Sequence, residues 1–267
     1  MNAGSLWLLG AGNMGGAMLR GWLGVEQGLA ISVVDPFASE VPDGVTLWRE
    51  VPAGVALPDI VVLAVKPQQL GDVRAAFAGC VGAPRLLLSI LAGVETETLK
   101  EAFGAAATVR AMPNLPVSIG EGVTALFSAD ADEATRLGAA ALVAPLGLVE
   151  WIDEEELFDA VTALSGCGPG FLFRFIDAMA AAGHRLGLPA DQAMRLAIAT
   201  VRGSSLLAAG SDESPSVLAD RVASPGGSTR EGLNVLDSGD SLKKLMIDTL
   251  AASARRNAEL AAAARKS

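Results

Sequence analysis

The sequence contains no tyrosine, a single histidine (His184) and two cysteines (Cys80 and Cys167). Without tyrosine there is no Tyr–Lys proton donor, and a Ser–His–Asp triad would hang on one residue. Two cysteines are too few for a disulfide framework, and with one histidine too few for a zinc site, so no metal is expected. Positive charge is also scarce: 20 Lys and Arg stand against 30 Asp and Glu, a formal net charge of −10. With no basic cluster, a surface that tracks nucleic-acid phosphates or an anionic membrane has no electrostatic drive. The longest uncharged stretch, residues 1–19, lacks a basic start and is interrupted by Gly4, Gly10, Gly12, Gly15 and Gly16. It reads as neither a signal peptide nor a membrane span, and a cytoplasmic compartment is expected.

What is present is ample apolar content, 51% of 267 residues, enough for one large or two modest cores. Over the first half, short Val-, Ile- and Leu-rich runs alternate with Gly/Pro-marked breaks and helix-like stretches, the rhythm of a parallel sheet. The strand candidates are 6–9, 31–34, 60–65 and 86–91, with 108–111, 123–127 and 148–152 less sharply marked. From Glu154 onward the texture becomes alanine-rich and helical, with Pro169 and Pro189 near two starts and Pro215 and Pro225 in breaks. The run Asp153–Glu156 where the textures meet suits the first turn of a helix, where acids offset the dipole. Residues 251–266 read as a final helix whose Arg255, Arg256, Arg265 and Lys266 suit its C-terminal end.

The first strand candidate runs straight into Gly10-Ala11-Gly12-Asn13-Met14-Gly15 and then a helix-like segment. That setting makes the glycines chemically specific. Gly10 permits the tight turn, Gly12 lets the backbone approach a pyrophosphate, and Gly15 allows the helix to pack on the strand. Asp35 ends the second candidate, where an acid accepts hydrogen bonds from ribose hydroxyls and repels a 2′-phosphate, or opens a turn with Pro36. Ala64, Val65, Lys66 and Pro67 fall at the carboxyl end of a central strand, the edge where open α/β sheets bind ligands. Asn114, after another strand, faces the nicotinamide side or caps a turn. The fold expected is α/β: a Rossmann-like parallel-sheet domain over residues 1–153 that binds NADPH or NADH, followed by an all-α domain over 154–267.

In the helical half, Leu164-Ser165-Gly166-Cys167-Gly168-Pro169-Gly170-Phe171 and Val222-Ala223-Ser224-Pro225-Gly226-Gly227-Ser228-Thr229 carry a resemblance. Together with the Gly10–Gly15 turn they make the chain similar to the pyrroline-5-carboxylate reductases over essentially its whole length. The resemblance implies hydride transfer to the imine carbon of L-1-pyrroline-5-carboxylate, giving L-proline, in a homodimer built through the helical domains with further assembly of dimers. It implies that Ser224, Gly226, Gly227, Ser228 and Thr229 hold the substrate carboxylate, that the Thr229 hydroxyl meets the imine nitrogen, and that Gly168 lines the pocket. The residues suit these roles: permissive glycines precede hydroxyl groups at a helix start, which makes a nest of N–H donors in which Ser228 or Thr229 also serves as the cap. A protonated imine already carries the charge that draws a hydride, so positioning outweighs a strong acid–base pair.

The chain departs from the family pattern at Cys167, where Ser is typical, at Gly170-Phe171, where Ala-Tyr is common, and at Leu115, where Thr is usual. It has no asparagine between Asn13 and Asn114, where many members place one against the cofactor ribose. Cys167 reads as a small buried thiol and His184 as a helix-face residue. The apolar stretches 171–182 and 194–201 read as core or dimer interface. Two alternatives share the plan: another imine or 3-hydroxyacid reductase, and a non-catalytic nucleotide-binding dimer. The absence of lysine from residues 159–175 counts against the hydroxyacid enzyme.

Overall fold

The computed structural model describes residues 4–25 and 28–264, so Arg265 and Lys266 lie outside the described residues. The chain forms two compact units. The first comprises the residues to Cys167 together with those from Ser253 on, and the second is Gly168–Ala252. The expected boundary at 153/154 follows the change from strands to helices, but packing divides the chain elsewhere. The reason is that residues 154–167 and the end of the last helix are fastened to the sheet unit. Phe158 is 2% exposed, and Asn257 donates to the Asp159 carbonyl at 3.5 Å.

In the first unit, the elements in chain order are β1 (Ser5–Leu9), α1 (Asn13–Leu23), β2 (Ala30–Val34), β3 (Thr46–Trp48), β4 (Ile60–Leu63), α2 (Leu70–Phe77) and β5 (Leu86–Ser89). Then follow α3 (Thr96–Phe103), β6 (Ala107–Pro113), β7 (Gly122–Phe127), α4 (Glu133–Val143), β8 (Gly147–Trp151) and α5 (Phe158–Val161). The strands make one sheet in the order β3-β2-β1-β4-β5-β6-β7-β8. Its two faces carry separate cores. Leu6, Leu8, Val33 and Val62 pack with Met18 and Trp22 of α1 and Leu142 of α4, and the Trp22 indole donates to the Leu142 carbonyl at 2.9 Å. On the other face Leu9, Val61 and Leu87 pack with Phe77, Leu99 and Phe103. Because helices cover both sides, the central strands are almost entirely apolar, with Ile60–Leu63 and Leu86–Ser89 buried at every position.

Two features correct the sequence expectation. The short strand β3 was not foreseen, and β7 runs antiparallel to β6, with Met112 opposite Ala125. Only residues 114–121 connect β6 to β7, too short for the crossover a parallel neighbour needs. β8 returns to parallel pairing with β7, because α4 supplies that crossover.

In the second unit are α6 (Gly168–Arg185), α7 (Ala190–Ala209), α8 (Pro215–Arg221), α9 (Ser228–Asp237) and α10 (Ser241–Ala264) up to Ala252. Pro215, expected in a break, instead opens α8 behind a Ser214 cap that accepts the Val217 N–H at 3.3 Å. A proline is tolerated at a first helical position because its missing N–H would have no partner there. α10 begins ten residues earlier than the helix expected at 251. α6 lies against α7, where a Cβ on Gly183 would meet the Ala193 methyl at 3.5 Å. The buried apolar side chains of this unit are all small: Ala180, Ala193, Ala197 and Ala223. Larger ones such as Leu172, Phe173, Phe175, Leu206 and Leu207 are exposed. Among the described residues, no helix is long and apolar enough to cross a membrane.

Candidate functional site

The glycine turn sits where the strand order reverses, between β1 and its neighbours β2 and β4, which is the ligand-binding position of open α/β sheets. Backbone bonds clamp it on both sides. Gly10 N–H donates to the Val34 carbonyl at 2.9 Å and Ala64 N–H to the Leu9 carbonyl at 2.8 Å. Gly10 has φ +93°, and a Cβ there would lie 2.6 Å from the Ala64 carbonyl oxygen. A Cβ on Gly15 would lie 2.1 Å from the Gly10 oxygen. Gly12, by contrast, has nothing within 4 Å of its Cβ direction and is the N-cap of α1 with no side-chain cap. The N–H groups of Asn13, Met14 and Gly15 precede the first intrahelical bond, Gly16 N–H to the Gly12 carbonyl at 2.8 Å. An open approach and uncapped donors fit a pyrophosphate.

Asp35 both opens its turn and reaches the glycine loop. Its Oδ1 accepts the N–H groups of Phe37 and Ala38 at 2.8 and 3.1 Å, while Oδ2 accepts Ala11 N–H at 2.7 Å. The Ala11 N–H is therefore spent on Asp35. Lys66 is exposed, and its N–H donates to the Gln69 side chain at 3.0 Å, so residues 64–67 present a braced strand end.

Asn114 is 7% exposed. Its side chain donates to the Ser165 carbonyl at 3.1 Å and accepts Val123 N–H at 2.8 Å. It thus ties the end of β6 to a π-helical turn, residues 162–166, closed by Cys167 N–H to the Thr162 carbonyl at 2.8 Å. Cys167 is half-buried, and its sulfur accepts the Ser253 hydroxyl at 3.2 Å.

In the second unit Gly168 opens α6. The Ser224-Pro225-Gly226-Gly227 segment is a type II turn: Gly227 N–H donates to the Ser224 carbonyl at 2.9 Å, and Gly226 has φ +71°. The cap of α9 is Gly227, not Ser228 or Thr229, and no side chain caps it. Ser228 and Thr229 thus stand inside the first turn, ahead of the first helical bond from Glu231 N–H to the Gly227 carbonyl. Thr229 is exposed, and no hydroxyl partner is seen for it among the described residues. Arg230 is paired with Asp220 at 2.6 Å, which fastens α9 to α8.

Sequence reasoning missed Glu155. Its carboxylate pairs with the buried Arg110 at 2.8 Å and accepts both the N–H and the hydroxyl of Thr96 at 2.9 Å, so the acidic run fastens chain segments rather than merely offsetting a dipole. A cavity of about 310 Å³ beside it is lined by Glu95, Arg110, Glu155, Glu156 and Asp159, among others. With four acids against one base, its walls repel an anionic cofactor.

Residues 155–260 match the family model for pyrroline-5-carboxylate reductase dimerisation. The pyrroline-5-carboxylate reductase of Synechocystis is 39% identical over 203 residues, 76% of this chain and 75% of its own. The structure of a pyrroline-5-carboxylate reductase from Coxiella burnetii superposes with TM-score 0.86 at 31% identity, covering 97% of this chain and 99% of that one. The Plasmodium falciparum pyrroline carboxylate reductase with NADP bound gives TM-score 0.79 at 26% identity, covering 96% and 98%. A relative 39% identical over about three quarters of both chains, with a solved structure matching nearly the whole chain, settles the descent: the chain belongs to the pyrroline-5-carboxylate reductase family.

Proposed function

We propose that this protein reduces L-1-pyrroline-5-carboxylate to L-proline with NADPH or NADH, the residues above dividing the work. The nicotinamide cofactor supplies the hydride. The N–H groups of Asn13, Met14 and Gly15 hold its pyrophosphate, and Gly10, Gly12, Ala64, Val65, Lys66 and Pro67 shape the floor on which it lies. Ala11 contributes by keeping the turn on Asp35, and Asn114 is a positioning residue that fixes the strand end and the π-helical turn.

The substrate carboxylate is taken by the turn Ser224–Thr229. The observation that carries this role is the uncapped start of α9: its first N–H groups and the Ser228 and Thr229 hydroxyls are not consumed by a cap. The Thr229 hydroxyl accepts or donates a hydrogen bond at the substrate nitrogen, orienting the imine for attack. Gly168, at the start of α6, lets the substrate approach the backbone. Thr229→Ala tests the assignment: kcat is expected to fall about 100-fold with cofactor affinity unchanged, and Thr229→Ser to restore most of it. Equal kcat in the alanine variant and the parent would remove Thr229 from the reaction.

The protein is a homo-oligomer, and we assign the basic unit as a dimer made through the helical unit, dimers then associating further. The support is the exposure of large apolar side chains on α6 and α7 over a unit whose own interior holds alanines. Sedimentation velocity is expected to show at least a dimer at micromolar concentration, and a monomer throughout would contradict it. The two cysteines are free, which supports placement in a reducing, cytoplasmic compartment.

A further inference from the structure

We propose that the β2 corner selects NADH over NADPH, with Asp35 reading the adenosine ribose and Phe37 serving as the platform for the adenine ring. The inference rests on the nucleotide site proposed above and names which cofactor that site takes.

Three observations carry it. The Asp35 carboxylate is held by three backbone N–H groups, from Ala11, Phe37 and Ala38, so it is fixed in place before any ligand arrives. An ionised carboxylate only accepts, and has about four lone-pair sites. Three are filled, and the remaining one takes a ribose hydroxyl donor but offers nothing except repulsion to a phosphate oxygen. Because Oδ2 is bonded to the glycine turn itself, the charge is held beside the proposed nucleotide path, where it repels a further phosphate on the ribose.

The second observation is Phe37. It is an aromatic side chain 85% exposed, on a backbone pinned to Asp35 Oδ1 at 2.8 Å. A large apolar ring held in water two residues beyond the ribose reader has no packing role in the fold, and its face matches a purine, which stacks on aromatic side chains.

Third, Arg49, a cation at the corner, is turned onto the corner's own backbone. Asp35 N–H donates to the Trp48 carbonyl at 2.9 Å, which places Arg49 beside the corner. The Arg49 guanidinium hydrogen-bonds the Ala38 carbonyl. It braces the same turn that Asp35 holds, so Arg49→Ala reports whether it also meets a 2′-phosphate.

The test is equilibrium binding of NADH and of NADPH, without imino acid, followed by calorimetry or by energy transfer from protein tryptophan to the nicotinamide. The parent protein is expected to bind NADH at least tenfold more tightly than NADPH. Asp35→Asn, which removes the charge at the cost of at least one accepted N–H bond, is expected to shrink the ratio at least tenfold. Phe37→Ala is expected to weaken both cofactors alike by about tenfold and leave the ratio unchanged. Equal parent affinities, an unchanged ratio in Asp35→Asn, or a selective loss of NADPH binding in Arg49→Ala would overturn the proposal. The readout does not involve turnover. Selective NADH binding without reduction of the imine would sink the proposed reaction alone, and tighter binding of NADPH by protein that reduces the imine would sink this proposal alone.

Discussion

Glu155 holds Arg110 at 2.8 Å, and the pair is 19% and 8% exposed at its side chains. The same carboxylate takes the first N–H of α3 through Thr96, and the Arg110 guanidinium lies 4.5 Å over the Phe158 ring. One acid thus caps a helix, neutralises a buried base and fastens the segment after β8 to the sheet. Removing one member of a buried pair leaves the other charge without compensation. Glu155→Ala is expected to lower stability by about 3 kcal/mol in urea unfolding. A loss below about 1 kcal/mol would show that the contact is not a fastening.

Gly10→Ala is expected to damage the nucleotide site outright. The position needs φ +93°, and the new Cβ would press on the Ala64 carbonyl at 2.6 Å. Relief requires opening either the Gly10–Val34 or the Leu9–Ala64 bond, so cofactor affinity should fall at least tenfold, with stability reduced by about 1–3 kcal/mol. Gly12→Ala, by comparison, meets nothing within the protein, so it should leave stability nearly unchanged and weaken cofactor binding only. Parallel thermal melts and cofactor titrations separate the two.

Gly170→Ala restores a residue common in the family. It lies in the first turn of α6 with an open Cβ direction and a φ that any residue adopts. Alanine there costs the unfolded chain freedom without straining the helix, so a gain of about 0.5–1 kcal/mol is expected. A destabilised variant would mean that the space is filled in the assembled protein.

Acid sensitivity has one identifiable source at the end of β7. Partial burial pushes the Asp130 carboxyl up, but hydrogen bonds from Lys100, Thr108 N–H and Ser128 outweigh it and hold it below its usual 3.8. The ion pair with Lys100 spans 2.9 Å. A lowered native pKa stabilises the fold above the unfolded value, and that share is lost as pH falls through the native one. Asp130→Asn is therefore expected to melt roughly 2–4 °C lower at neutral pH, for about 1 kcal/mol. The gap should close only as pH drops below 3.8. A gap independent of pH would point to packing rather than charge.

The parts of this fold that are written locally were legible in the sequence. Strands buried on both faces, such as Ile60–Leu63, show as apolar runs, and each of the seven strand candidates overlaps a strand. β3 escaped because Thr46-Leu47-Trp48 is three residues long at an edge, with no room for a pattern. The reversal of β7 lay in a loop length, not in a composition. The glycine turn was readable because its geometry needs glycine at fixed spacings. The bond from Ala11 to Asp35 joins residues 24 apart and that from Arg110 to Glu155 residues 45 apart. Pairings at such distances are set by the packed sheet and leave no local signature. Thr229 is singled out by the family's loop alone, whereas Phe37 is visible in the sequence as an aromatic two residues beyond Asp35.

Reduction of the imino acid shows in the initial rate of NADH and NADPH oxidation with L-1-pyrroline-5-carboxylate, with the product identified. The expected result is turnover of at least about 1 per second, strictly dependent on the imino acid, with L-proline formed in step with cofactor consumed. Protein that binds cofactor yet leaves L-1-pyrroline-5-carboxylate unreduced with either nucleotide would contradict it.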